Sequence, residues 1–240
     1  MEDIVEIIKS IDSDHSHLNP TEIYNEGWMT RLLVNNSIRY RIKIKGLDFG
    51  KIENWTSEAL ISSPFIRADF DREGYTHADI ALGDFSVNYE ARGEIVIPDN
   101  AKIFGIIEAK MGSNLSQGTK HAPEYNQASR TLACITSQTH NSFCDIFFAV
   151  VGPNTILDKH RIDKQIDLQH MIKQIENRFS PYSDDFRKKQ EMQSIITKAR
   201  GCKVFLVSYE EWIDEFEDGE VKELLTEFYE KSKKWNRIDV

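Results

Sequence analysis

Glu108 and Lys110 are the residues of this chain best suited to chemistry. They close the run Lys102-Ile103-Phe104-Gly105-Ile106-Ile107-Glu108-Ala109-Lys110, two positions apart, where an apolar segment reaches its end. In an extended strand the side-chain period is two, so the carboxylate and the ammonium point to one face. The acid can hold a metal ion while the lysine handles water or developing negative charge, a pairing that cleavage of a phosphate ester requires. A second Glu-x-Lys, Glu220-Val221-Lys222, lies in a charged, helix-like segment and reads as solvated surface, so the pattern alone decides nothing. The first copy differs in its setting: a β-prone apolar run before it, the loop Ser113-Asn114-Leu115-Ser116-Gln117-Gly118 after it and an acidic strand end upstream.

That upstream acid is Asp79, in His77-Ala78-Asp79-Ile80-Ala81-Leu82-Gly83. It precedes a short apolar strand able to run antiparallel to residues 102–110, which would bring it to Glu108. Two carboxylates at adjacent strand ends repel each other unless a cation lies between them. Magnesium suits the pair, because it prefers oxygen ligands and keeps waters that can be activated. His77 would share the face of Asp79 and could assist there, or be an ordinary surface histidine; His15, His17 and His121 carry weaker signals. Gln127 and Arg130, three apart on an expected helix, face similar directions and could hold a water or a phosphate. Arg130 reads equally well as an ion-pair partner of Glu26 or Glu124.

The elements that must position these groups follow from periodicity. Asn19-Pro20-Thr21 starts a helix over 21–35 that contains Glu26. Arg39-Tyr40-Arg41-Ile42-Lys43-Ile44-Lys45 alternates strictly and predicts a strand with Arg39, Arg41, Lys43 and Lys45 on one face. This is either a phosphate-facing patch or a solvated edge strand. Residues 46–64 read as a loop with short ordered pieces, 76–87 as a strand or hairpin arm turning at Gly83-Asp84, and 92–98 as a further β-prone piece. A helix over 122–137 is entered through Ala122-Pro123-Glu124. Asp145-Ile146-Phe147-Phe148-Ala149-Val150-Val151 is the uninterrupted run of a strand buried on both faces. Strand, helix and strand make a crossover joining parallel neighbours. Helices over 160–179 and 185–199, a strand over 203–208 and acidic helices, whose Trp212 and Trp235 either dock a protein partner or, more simply, belong to the core, complete an α/β fold, a central mixed sheet flanked by helices.

Composition bounds the reading. The chain has 240 residues, 40% of them hydrophobic and 29% charged, enough for one large domain with a full core. No apolar stretch is long enough for a membrane span, and the acidic start Met1-Glu2-Asp3 lacks the regions of a secretion signal. Cys134, Cys144 and Cys202 read as free thiols of a cytoplasmic protein. A net charge of −9 argues against nonspecific coating of nucleic acid but not against a nucleic-acid enzyme with a local basic patch.

Taken together, the motifs resemble those of the PD-(D/E)XK nuclease superfamily, the fold of restriction endonucleases and many recombination and repair nucleases. The resemblance covers roughly residues 20–151, with residues 155–240 as a C-terminal strand and helices. Asp79 matches the motif aspartate, Glu108 and Lys110 the Glu-x-Lys pair, Glu26 the acid many members carry in the first helix, and Gln127 the helix glutamine of some families. Ala78 replaces the proline that names the superfamily, and the long interval from Asp79 to Glu108 implies an inserted hairpin around 84–101. The resemblance implies a magnesium- or manganese-dependent phosphodiesterase acting on nucleic acid, with DNA the expected substrate. Asp79, Glu108, the Ala109 carbonyl and, through water, Glu26 would bind metal, with Lys110 and Gln127 at the reacting water. Pairing of subunits into a dimer is implied by analogy alone. A nuclease-like binding module without hydrolysis is the alternative, and Glu26 also reads as an ordinary exposed helix residue.

Overall fold

The apolar runs that end at Ala109 and Gly152 lie side by side in the middle of a sheet, because neither has a polar face to turn to solvent. The computed structural model describes residues 2–13, 15–65, 73–91, 93–118 and 122–238. Arg92 and His121 fall outside the described residues. The chain runs through α1 (Glu2–Lys9), α2 (Pro20–Ile23), α3 (Glu26–Tyr40), β1 (Lys43–Ile44), β2 (Leu47–Asp48), β3 (Asn54–Ile61), β4 (Thr76–Gly83), β5 (Ser86–Asn88), β6 (Glu94–Val96) and β7 (Ile103–Ala109). It continues through α4 (Gln127–Thr139), β8 (Asp145–Gly152), α5 (Asn154–Lys159), α6 (Ile162–Gln165), α7 (Leu168–Phe179), α8 (Phe186–Ala199), β9 (Lys203–Ser208), α9 (Tyr209–Asp214) and α10 (Gly219–Trp235).

The fold is α/β. Among the described residues a seven-stranded mixed sheet has the order β5-β6-β3-β4-β7-β8-β9. β4 is antiparallel to both β3 and β7, whereas β7, β8 and β9 are mutually parallel. Alternation along β7 sends Phe104 and Ile106 into one core, with residues of α4, α7 and α8, and Ile107 and Ala109 into the other, with residues of α3, α9 and α10. No helix among the described residues is long and apolar enough to cross a membrane.

Several expected elements take a different form. The start signal at Asn19 holds, with a capping box to Glu22, but this helix stops after one turn; a new one starts at Glu26, where the Asn25 side chain accepts the Trp28 N–H. α3 then runs on to Tyr40, since Met29, Leu33 and Ser37 keep a buried stripe at helical spacing. The predicted basic strand over 39–45 is therefore absent. Arg39 is helical, Arg41 ends the helix in the left-handed conformation (φ 54°), and Lys43 and Lys45 belong to the small β1–β2 hairpin, so the four cations share no strand face. Lys43 pairs with Asp48 at 3.4 Å; Lys45 pairs with Glu211 at 2.7 Å and donates to the Leu206 carbonyl at 2.8 Å. Residues 54–61, read as loop, form the full strand β3, whose polar residues fit a sheet position covered less deeply than β7 or β8. The helix expected from Pro123 starts at Gln127, capped by the Asn126 side chain, and the one expected over 160–179 is broken into α6 and α7. Trp212 is buried, but Trp235 is exposed.

β4 and β7 approach closely at the end far from Asp79. Gly83 has φ +117°, and a Cβ there would lie 2.1 Å from the Ile103 carbonyl oxygen. The next residue closes this end as a clamp: Asp84 N–H donates to the Ile103 carbonyl at 2.8 Å, and its carboxylate accepts the Lys102 N–H at 2.6 Å. Gly83→Ala combines a forbidden backbone conformation with a backbone clash and is expected to cost about 2–4 kcal/mol. Denaturant unfolding measures this directly, and a midpoint equal to wild type would show that the strand pair relaxes around the methyl group.

Candidate active site

The ladder between β4 and β7 runs from Gly83↔Phe104 to Ile80↔Ile107 and then stops. Asp79 and Glu108 occupy the next step, on the sheet face that α4 covers, so the register alone sets the two carboxylates together. Asp79 Oδ2 accepts the Ala109 N–H at 2.7 Å, which satisfies a strand-end donor and fixes the aspartate. Glu108 is fully buried. Its Oε2 accepts a bond from Gln127 Nε2 at 2.7 Å and its Oε1 one from Thr131 Oγ1 at 3.0 Å. Gln127 and Thr131 are four apart on α4 and so present one helix face to the glutamate.

Lys110 follows Glu108 onto the same face and is also largely buried, its N–H bonded to the Val151 carbonyl at 2.8 Å. Its backbone lies tight against Gly152, where a Cβ would come within 2.5 Å of the Lys110 carbonyl oxygen. Burial pushes the Glu108 carboxyl up to about 8, and the neighbouring Asp79 charge adds to the rise; Lys110 and the Thr131 hydrogen bond pull it back. The loop after Lys110 is laced to α4. Gln127 N–H donates to the Ser116 carbonyl at 2.8 Å, Gln127 Oε1 accepts the Ser116 N–H at 3.3 Å, and Arg130 Nη2 donates to Ser116 Oγ at 3.1 Å.

The structure thus brings together Asp79, Glu108, Ala109, Lys110 and Gln127. Glu26 opens α3, and its charge and that of Asp79 both act on the buried Tyr209 hydroxyl; among the described residues no set of three His, Cys, Asp or Glu side chains is gathered to share a metal ion. Arg130 binds the loop and, among the described residues, forms no ion pair with Glu26 or Glu124, and its Nε is buried without a partner. His77 is exposed. Sequence reading missed Thr131, Asn126 and Gly152, and named Ser116 only within the loop after Lys110. Thr131 was detectable from its i+4 spacing to Gln127; nothing local marks Gly152, whose role is a contact with a distant backbone.

Two carboxyl groups meeting where β7 ends form an oxygen-only donor set. That set fits a hard divalent cation of the magnesium type, which would complete its shell with water. No family model, curated protein or solved structure matches the chain.

A test of this electrostatics lies in stability. Glu108 has a folded pKa raised from 4.5 to about 8, so its contribution is fully present below pH 4.5 and is lost as pH rises through 8. In chelating buffer, wild type should lose about 3–5 kcal/mol relative to Glu108→Gln across that window. Melting curves of both proteins at intervals from pH 5 to 9 measure the difference, and a gap that does not change with pH would contradict the assignment.

Proposed function

We propose that the protein is a divalent-metal-dependent nuclease that hydrolyses phosphodiester bonds, with DNA as the expected substrate. The observation that carries this reading is the meeting of Asp79 with a buried Glu108 where the antiparallel β4–β7 ladder ends, with Lys110 on the same face. The resemblance of these motifs to the PD-(D/E)XK nucleases gives the pairing its chemical meaning. Asp79 and Glu108, with the Ala109 carbonyl, would hold the metal, which when bound supplies a polarised phosphate oxygen and an activated water. Lys110 orients the attacking water and meets the negative charge that develops on the phosphate. Gln127 and Thr131 hold the glutamate in one rotamer, so that its oxygens need no reorganisation when charge appears. The loop at Ser116, fastened to Gln127 and Arg130, keeps the open side of the pair in place.

The second reading is a nuclease-like module that binds nucleic acid without cutting it. It draws on the donor count: among the described residues no three His, Cys, Asp or Glu side chains gather to hold a metal ion. Fold alone does not separate the two.

Incubation of the purified protein with linear, circular and single-stranded DNA, in magnesium, manganese or chelator, separates them. Cleavage should require metal and fall by about a hundredfold or more in Glu108→Ala and in Lys110→Ala. Equal cleavage by wild type and both variants would refute the site, and metal binding without cleavage of any substrate would select the binding module.

A further inference from the structure

The last turn of α10 reverses the charge of this acidic chain. Lys231, Lys233, Lys234 and Arg237 crowd into seven residues of a protein whose net charge is −9. Lys231 is neutralised by Asp12 and Glu227, and Lys233 by Glu230. Lys234 and Arg237 are exposed and have no ion pair among the described residues. Between them Trp235 stands 42% exposed, with Lys234 Nζ 5.4 Å from its ring centroid.

This turn packs behind the end of β7, on the sheet face opposite α4. Ile238 is buried in the core that holds Ala109 and Met111, and its Cδ1 is 3.2 Å from where a Cβ on Gly112 would stand, two residues past Lys110. Asn236 Nδ2 donates to the Tyr24 carbonyl at 2.7 Å, which seats the turn on the chain just before α3. The first turn of α3 carries a second pair of the same kind: Trp28, 37% exposed, with the Arg31 guanidinium 5.2 Å from its ring centroid. Arg31 also reaches Glu58 at 3.2 Å, and Glu58 stands between the paired steps Ser57↔Ile80 and Ala59↔Ala78, opposite Asp79. Two cation–indole pairs therefore border the sheet, one reached through Gly112 just past β7 and the other through Glu58 within β3.

Cations at a helix C-terminus also offset its dipole, but that purpose does not call for an exposed indole. An exposed ring offers a stacking face to an unpaired base, worth about 1–3 kcal/mol per base, whereas the bases of a duplex already stack on one another. A protein of net charge −9 gains less from neutralising phosphates, so stacking carries a larger share of its affinity.

We infer that the surface bearing Trp28, Arg31, Lys234, Trp235 and Arg237 is a track for single-stranded nucleic acid leading to Asp79 and Glu108. The inference rests on the nuclease reading and narrows its substrate to unpaired strands or unpaired ends.

Binding is measured in chelator by fluorescence anisotropy, with labelled oligo-dT, oligo-U and a duplex of equal length. Wild type should bind a single strand at least tenfold more tightly than the duplex, and the two oligomers distinguish DNA from RNA. Trp28→Ala and Trp235→Ala should each weaken single-strand binding by about tenfold. Lys234→Glu with Arg237→Glu should flatten the slope of log affinity against log salt by about 1.4. Phe143→Ala, at an exposed ring remote from this surface, is the control for surface aromatics in general, and melting curves confirm that each variant is folded. Variants that bind as wild type does, or a preference for duplex, would overturn the track while leaving metal-dependent cleavage to stand. Failure of wild type to bind or cut any nucleic acid would overturn the track and the nuclease reading together.

Discussion

Placing two carboxylates side by side, one of them fully buried, is the constraint around which the centre of this fold is organised. Glu108 would be expelled from its position without the groups that meet it: a hydroxyl and an amide from α4, and an ammonium two residues along its own strand. Asp79 is held in turn by the Ala109 N–H. These groups come from two stretches of chain, α4 and the end of β7. The penalty of the acid pair is thus spread over the antiparallel ladder, the parallel crossover and the helix between them.

The sheet divides its tasks at β7. On one side, antiparallel pairing with β4 delivers the second acid, because opposite residues in such a pair share a face. On the other, parallel pairing with β8 requires a crossover, and that crossover is α4, which carries Gln127 and Thr131 back over Glu108. A purely parallel sheet would lack the direct approach of Asp79, and a hairpin-only sheet would lack the covering helix. The mixed topology is the arrangement in which the same glutamate receives both.

Those parts of the fold dominated by apolar burial were legible in the sequence. The runs ending at Ala109 and Gly152 could hardly be anything but central strands, and the antiparallel approach of Asp79 followed from its position ahead of a short apolar segment. The segment from Arg39 to Lys45 was misleading because its alternation of charge and aliphatic is real, yet the buried stripe of Met29, Leu33 and Ser37 carries the helix into it. Local pattern lost there to a longer-range one. β3 escaped detection because its partners, and not its own polar residues, make it a strand. At the candidate site, the residues brought together around Glu108 were visible by type and spacing, whereas Thr131 and Gly152 act through contacts that only the assembled chain defines.

Lys45 shows how a residue displaced from one expectation acquires another purpose. Its ammonium lies on the Leu206 carbonyl of β9, the outer strand on the parallel side of the sheet. An outer strand exposes unpaired carbonyls and amides, which invite a strand from another molecule to continue the sheet. A lysine seated on one of those carbonyls, and tied to Glu211 beside it, places a solvated charge where such a strand would have to dock. The hairpin that carries Lys45 therefore acts as a guard against edge-to-edge aggregation, a matter of colloidal behaviour in a crowded solution and independent of any substrate.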